Sequence, residues 1–201
     1  MESFFEHLSH LINFSPESKQ AINDVIIRQT YKKGHILCAP GEICQNLWFI
    51  EKGVGRIFYT RNNKEVTEMI MTEGYFLGSW ESFFSQTPSN RTVQLLENSV
   101  VGAIWIKDLN NLYDRYHDIE RLGRLISIRG MTTLLHRTDQ LMFSSALERY
   151  QDLLQKRPAL LDRIPLGIIA SYLGITQETL SRMRAQTKEL EALDGTNPEQ
   201  A

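Results

Sequence analysis

The chain has 201 residues, 42% of them hydrophobic, and a formal charge of −2, which suits one large or two small globular domains and argues against wholesale disorder. No apolar run approaches the roughly 18 residues that span a bilayer, and the opening Met1-Glu2-Ser3-Phe4-Phe5-Glu6-His7 lacks the basic and apolar pattern of an export signal, so no membrane and a cytoplasmic location are expected. Cys38 and Cys44 stand without a second pair, which excludes a four-cysteine zinc or iron–sulfur site and reads as free thiols in a reducing compartment.

From about residue 5 to 28, Phe5, Leu8, Leu11 and Ile12, then Ile22, Val25 and Ile26, follow helical spacing. Ser15-Pro16 interrupts them, with Ser as cap and Pro at the first position of a new helix. These helices should form a lid before the main body.

From Tyr31 to Lys107 the chain turns to short β-rich runs separated by turns. Leu47-Trp48-Phe49-Ile50 passes through Glu51-Lys52-Gly53 into Val54 to Tyr59, and Arg61-Asn62-Asn63-Lys64 turns the chain into Val66 to Met71. Pro40-Gly41 and Gly74 mark further turns, and Val100 to Ile106 is a closing strand.

One long helical pattern then runs from about Leu109 to Met142, carried by Leu112, Tyr116, Ile119, Leu122, Leu125, Ile126, Leu134, Leu135 and Leu141. Its length points to a dimerisation helix, although two packed helices of a monomer would also satisfy the pattern, and Gly123 and Gly130 either weaken the rod or allow close helix contact. A further helix, Ala146 to Gln155, should end at Arg157-Pro158, since a residue before proline is pushed out of the α region.

Ile164-Pro165 opens the next helix, which runs to Leu173 and ends at Gly174, whose freedom at positive φ suits a tight turn. Ala170 is small enough for a helix crossing, and Ile169, Leu173, Ile175, Leu180 and Met183 are spaced to close one small core. Thr176 is a good cap for a second helix, with Glu178 in its first turn.

The spacing is that of a helix-turn-helix, against the alternative of a plain helical hairpin. Gln177, Glu178, Ser181 and Arg182 are left facing outward near the N-terminus of the second helix. Arg182 can donate twice to guanine, Glu178 can accept from cytosine, and Gln177 can pair with adenine or bind phosphate, while Arg184 and Lys188 suit phosphate contacts. The charge agrees in sign: between Lys156 and Leu190 six basic residues face three acidic ones.

The order of parts, from about residue 5 to 188, resembles the catabolite activator and fumarate–nitrate regulator (Crp/Fnr) family. Ile175-Thr176-Gln177-Glu178-Thr179-Leu180-Ser181-Arg182 is similar to that family's recognition-helix signature, and Glu148-Arg149-Tyr150 with Leu153-Leu154 resembles the first helix after its dimerisation helix. The resemblance implies a homodimer on pseudo-palindromic double-stranded DNA, with Thr176, Gln177, Glu178, Ser181, Arg182, Arg184 and Lys188 as DNA-contacting residues and RNA polymerase as a further partner.

The resemblance also implies a phosphate-binding cassette from Gly78 to Arg91-Thr92, so that Gly78, Ser79, Trp80, Glu81, Arg91 and Thr92 become candidate effector contacts. The chain departs from the cyclic-AMP pattern. Ser79 stands where a ribose-binding glutamate is expected, Glu81 is out of register, Gln86-Thr87-Pro88-Ser89-Asn90 makes the loop about two residues longer, and Leu134 and Leu135 fall where adenine would be hydrogen-bonded. Arg91 could grip a phosphate or carboxylate with both arms, or be a solvated loop arginine. Cyclic AMP is not the expected ligand; a small anionic effector, or none, is. His35, His117 and His136 read as ordinary histidines rather than haem ligands.

The expected fold is therefore α+β: a jelly-roll-like β-roll with flanking helices (1–108), a dimerisation helix (109–142), a helix-turn-helix of winged-helix type without an evident wing (143–190), and a disordered polar tail (191–201). The expected function is that of a sequence-specific transcription regulator. The other class of reading is a ligand-binding signalling module that acts through protein partners. No metal cluster, nucleophile elbow, phosphate-binding glycine loop or carboxylate pair at the required spacing supports an enzyme.

Overall fold

The computed structural model of the protein describes residues 2–194, and the side chains of residues 4–186. The chain divides into two compact units, Met1–His136 and Arg137–Ala201.

Two helices open the first unit, α1 (Glu2–Leu8) and α2 (Pro16–Val25). The break read at Ser15-Pro16 is where α2 starts: Ser15 caps it by accepting the Ser18 amide at 3.1 Å, with proline where its missing N–H costs nothing.

Eight strands follow: β1 (Ile27–Tyr31), β2 (Ile36–Cys38), β3 (Asn46–Lys52), β4 (Gly55–Arg61), β5 (Lys64–Met71), β6 (Phe76–Leu77), β7 (Thr92–Leu95) and β8 (Ser99–Trp105). They form two antiparallel sheets, ordered β1-β8-β3-β6 and β2-β7-β4-β5. The short helix α3 (Trp80–Ser85) lies between β6 and β7. The β4–β5 hairpin pairs Arg61 with Lys64 around Asn62 and Asn63, whose φ of 52° and 57° suit a two-residue turn that matches strand twist.

The first sheet is covered on both faces, which is why β3 reads as a continuous apolar run. Trp48 and Ile50 join Ile57, Val93 and Leu95 of the second sheet in the core between the sheets. Leu47 and Phe49 point the other way, into a core shared with Phe4, Leu8, Ile22 and Leu109 of the helices. Cys38 and Cys44 are both free and buried in the inter-sheet core, where burial pushes the Cys38 thiol up to about 12.

The stretch expected as one helix from 109 to 142 is two: α4 (Ile106–Arg115) and α5 (His117–Phe143). Between them Tyr116 is extended, at φ −128° and ψ 104°. A tertiary tie meets the chain just past this break. The Asp118 carboxylate accepts the Ser15 amide at 3.0 Å and the Ser18 hydroxyl at 2.5 Å, which ties the start of α5 to the start of α2. Although burial opposes the charge, the Ser18 and Ser15 donors hold this carboxyl below its ordinary range. Gly123 lets α5 approach α4, since a Cβ there would lie 2.3 Å from the Tyr113 hydroxyl.

The second unit begins within α5 and continues through α6 (Ala146–Lys156), α7 (Leu160–Arg163), α8 (Leu166–Leu173) and α9 (Gln177–Asp194). α6 carries a capping box: Ser145 accepts the Glu148 amide at 3.3 Å, and the Glu148 carboxylate accepts the Ser145 amide at 2.7 Å. As expected, α6 stops before Pro158, with Arg157 as its C-cap. α9 carries the first four residues of the expected tail, Glu191 to Asp194, as helix; residues 195–201 lie outside the described residues. Among the described residues no strand follows α9.

Candidate nucleic-acid interface and effector cassette

Local chemistry sets the α8–turn–α9 geometry. Ile164 before proline is extended (φ −123°, ψ 140°), so α8 starts only after Pro165. At the other end Gly174 takes φ +70°, its N–H reaches the carbonyls of Ala170 and Ser171, and the Ile175 N–H closes back on the Ala170 carbonyl at 3.0 Å. Such an end turns the chain sharply and satisfies carbonyls that a simple stop would leave bare. Thr176 then caps α9 by accepting the Thr179 amide at 3.2 Å.

Ile169, Ala170 and Leu173 of α8 and Leu180 and Met183 of α9 are all buried, and Leu180 is 0% exposed. Because these residues face inward, Gln177, Glu178, Ser181 and Arg182 are left exposed along the N-terminal edge of α9, with Thr176 exposed just before it. Glu178 is held in its charged form by its own backbone amide, the Thr176 hydroxyl and the nearby Arg182 guanidinium. Arg184 is half-buried, and Lys188 lies on α9 with its side chain outside the described residues.

Two arginines that the sequence did not single out for this role hold the end of α8. Arg149 of α6 donates to the Leu173 carbonyl at 2.9 Å. Arg137 of α5, itself buried, donates to the Tyr172 carbonyl and lies 4.1 Å from the centre of the Tyr172 ring. Both place positive charge at the negative end of the α8 dipole, next to the turn. Their partners lie 24 and 35 residues away in sequence, so no local spacing could have revealed them.

The cassette in the first unit is satisfied from within. Gly78 is buried against Leu47, whose Cδ2 would lie 2.5 Å from a Cβ at that position. Ser79, in the ribose-glutamate position, is buried with its hydroxyl 2.8 Å from that of Ser89, which in turn accepts the Arg91 amide at 3.0 Å. Ser82 accepts the Cys44 amide and donates to the Thr87 carbonyl. Trp80 packs on the helical core and stacks on Phe84, Glu81 is exposed in the first turn of α3, and Thr92 is buried in β7.

Arg91 is no freely solvated loop arginine: it grips a carboxylate with both arms, and that carboxylate belongs to the chain itself. Its fork is closed on Glu68 of β5, with Nε 2.7 Å and Nη2 3.2 Å from the two carboxylate oxygens, while Nη1 donates to Asn90 at 2.5 Å. Its guanidinium lies 5.1 Å from the centre of the Tyr59 ring. The Glu68 hydrogen bond raises the Arg91 pKa further, and Glu81 acts in the same direction. In this arrangement Glu68 occupies the Arg91 fork that a phosphate would need, and Ser79 supplies no carboxylate for a ribose. An apolar cavity of about 50 Å³ lies elsewhere in this unit, lined by Leu47, Trp80, Phe84, Tyr113 and Ile126 among others. It is far below the roughly 300–1,000 Å³ of small-molecule sites and reads as a packing gap.

A cyclic-nucleotide-type β-roll with helical flanks and a separate helix-turn-helix unit define the class of protein to which this architecture belongs. Residues 28–116 match the cyclic nucleotide-binding domain family. The fold is shared with FixK2 from Bradyrhizobium japonicum (15% identity, 83% of this chain and 86% of that one, TM-score 0.74). It is also shared with a protein from Eubacterium rectale assigned to the Crp/Fnr family of transcriptional regulators (19% identity, 90% and 87% covered, TM-score 0.68). Thermus thermophilus catabolite activator protein is a further relative in fold (20% identity, 94% and 88% covered, TM-score 0.56). The fold is thus one that these proteins share. Among curated proteins, none matches the chain in sequence. No helix of the described residues is long and apolar enough to cross a membrane.

Proposed function

We propose that the chain is a homodimeric, sequence-specific DNA-binding transcription regulator of the Crp/Fnr type that acts by binding and not by catalysis, in the cytoplasm and with RNA polymerase as a partner. The observation that carries the reading is the two-sidedness of α9. Leu180 and Met183 seal one side against α8, which leaves Gln177, Glu178, Ser181 and Arg182 on an exposed edge with the donors and acceptors that base edges require. Arg184 and Lys188 add sequence-independent attraction for phosphates.

Dimerisation rests on α5. Ile128, Met131, Leu134, Leu135, Leu141 and Met142 are all exposed, although each is large and apolar. Ile128, Leu135 and Met142 recur at seven-residue spacing, the period of a helix seam that a second helix would cover. A two-fold pair would present two copies of α9 to half-sites about one DNA turn apart.

The test is selection of binding sites from a random duplex library by the purified protein. The reading expects an inverted repeat whose half-sites are centred about 10 base pairs apart, or a multiple of that. Recovery of no inverted repeat, or of sequences that Gln177→Ala, Glu178→Ala and Arg182→Ala together leave equally well bound, would overturn it.

A further inference from the structure

Resting on the reading of the β-roll as the regulator's effector domain, we propose that Glu68 is a resident anion. It holds Arg91 in the way a diffusible phosphate or carboxylate ligand would, and keeps the cassette closed without a ligand. The anion site is present but filled by the chain's own carboxylate.

Three observations converge on this. The first is the fork: both oxygens of Glu68 receive donors from Arg91, the bidentate geometry with which arginine grips a ligand carboxylate or phosphate. The pair is half-buried, with about a quarter to a third of each side chain exposed, so it is less screened than a surface ion pair.

The second is how Glu68 arrives there. In the β4–β5 ladder Ile57 pairs with Met69 and Phe58 with Thr67, so Glu68 is the extra residue of a β-bulge. A bulge re-aims the side chain it inserts, and here the insertion falls at the residue that meets Arg91.

The third is that the rest of the cassette offers an incoming anion little. Ser79 is engaged with Ser89, Ser82 with Cys44 and Thr87, and the remaining Arg91 arm with Asn90. Glu81 adds a second negative charge that acts on Arg91. A phosphate would have to displace one carboxylate and face another.

The proposal predicts that anion binding is gated by Glu68 and not absent by design of the fold. An internal competitor lowers apparent affinity by the fraction of time that it leaves the site open, and an arginine–carboxylate pair of this exposure corresponds to an effect of up to roughly fivefold. Titration calorimetry of the full chain with inorganic phosphate and, separately, with 3′,5′-cyclic AMP tests it without recourse to DNA.

Glu68→Gln, which keeps the shape and removes the charge, should bind phosphate up to about fivefold more tightly than the wild type. Arg91→Ala in the Glu68→Gln background should abolish that gain. Equal phosphate affinity in wild type and Glu68→Gln overturns the proposal, as does a gain that survives Arg91→Ala. Tight cyclic AMP binding by the wild type, unchanged in Glu68→Gln, also overturns it. Thermal unfolding of each variant, with Glu68→Ala as a second replacement, identifies any that fail to fold. Since nothing in this readout involves DNA, failure of the resident anion and failure of the regulator reading are told apart by the site selection above.

Discussion

Replacing Arg182 by alanine separates reading from folding. Arg182 is exposed on α9, four residues beyond Glu178, and the core contacts of that helix are made by Leu180 and Met183 instead. Its removal should therefore change folding stability by no more than about 0.5 kcal/mol. On DNA the expectation is much larger. A two-pronged guanidinium–guanine contact discriminates by about 1–3 kcal/mol, and a dimer makes it twice, so a two-fold site loses about 2–6 kcal/mol, or roughly 30-fold to beyond 10⁴-fold in affinity.

The assay is fluorescence anisotropy with the selected duplex and with a set in which each half-site base pair is changed symmetrically. Wild-type protein should lose affinity sharply at the pair that Arg182 reads. Arg182→Ala should bind the original and that changed duplex alike, and keep its preferences at the other positions. Arg184→Ala is the contrast: it should weaken all duplexes by a similar factor and lower the slope of log affinity against log salt by about 1 per protomer. If Arg182→Ala instead weakened every duplex equally and kept the whole preference profile, Arg182 would be a backbone contact and its assignment to base reading would be wrong.

Leu180→Ala empties a 0% exposed position between α8 and α9 and should cost about 2–5 kcal/mol in urea unfolding; a cost below about 1 kcal/mol would deny that these helices share a core. Gly174→Ala forces a side chain into φ +70° and should destabilise by about 1–2 kcal/mol, measured in the same way. Leu135→Asp places a carboxylate in the exposed α5 seam twice per dimer and forfeits about 3 kcal/mol or more of apolar burial, so sedimentation should show dimer association weakened by at least a hundredfold. Asp118 and Asp152 both have folded-state values below the ordinary 3.8, Asp118 through Ser18 and Ser15 and Asp152 through Lys156 and Gln140, in each case against the pull of burial. As pH falls the unfolded chain takes up protons first, so their contribution is complete above about pH 5 and lost from about pH 4 downward through the folded values. Asp118→Asn should flatten the acid limb of stability against pH, as followed by chemical unfolding.

What could be read before any coordinates were known shares one property: its cause lies within a few residues. Ser15-Pro16 and Arg157-Pro158 bound their helices through steric and capping effects on neighbouring backbone. Gly174, Thr176 and the apolar spacing from Ile169 to Met183 define a turn and two helix faces by local geometry, and the exposed edge of α9 follows from which positions those faces use up. The capping box at Ser145 and Glu148 belongs to the same kind, since its Ser-x-x-Glu pattern is local.

The features that the sequence left open all turn on a partner far along the chain. Helical periodicity continues through Tyr116, whereas at the break between α4 and α5 Asp118 is bonded to Ser15 and Ser18, about 100 residues away. Arg91 carries the same charge whether it faces solvent, a ligand or Glu68, and the choice was made by a bulge that aims Glu68 at it from 23 residues away. Arg137 and Arg149 look like any helical arginines until folding brings the end of α8 within their reach. By itself the sequence determined the elements and the reading edge, because hydrophobic period, proline and caps act locally; tertiary structure alone decided which charges meet, because a guanidinium's partner is chosen by distance in space and not along the chain.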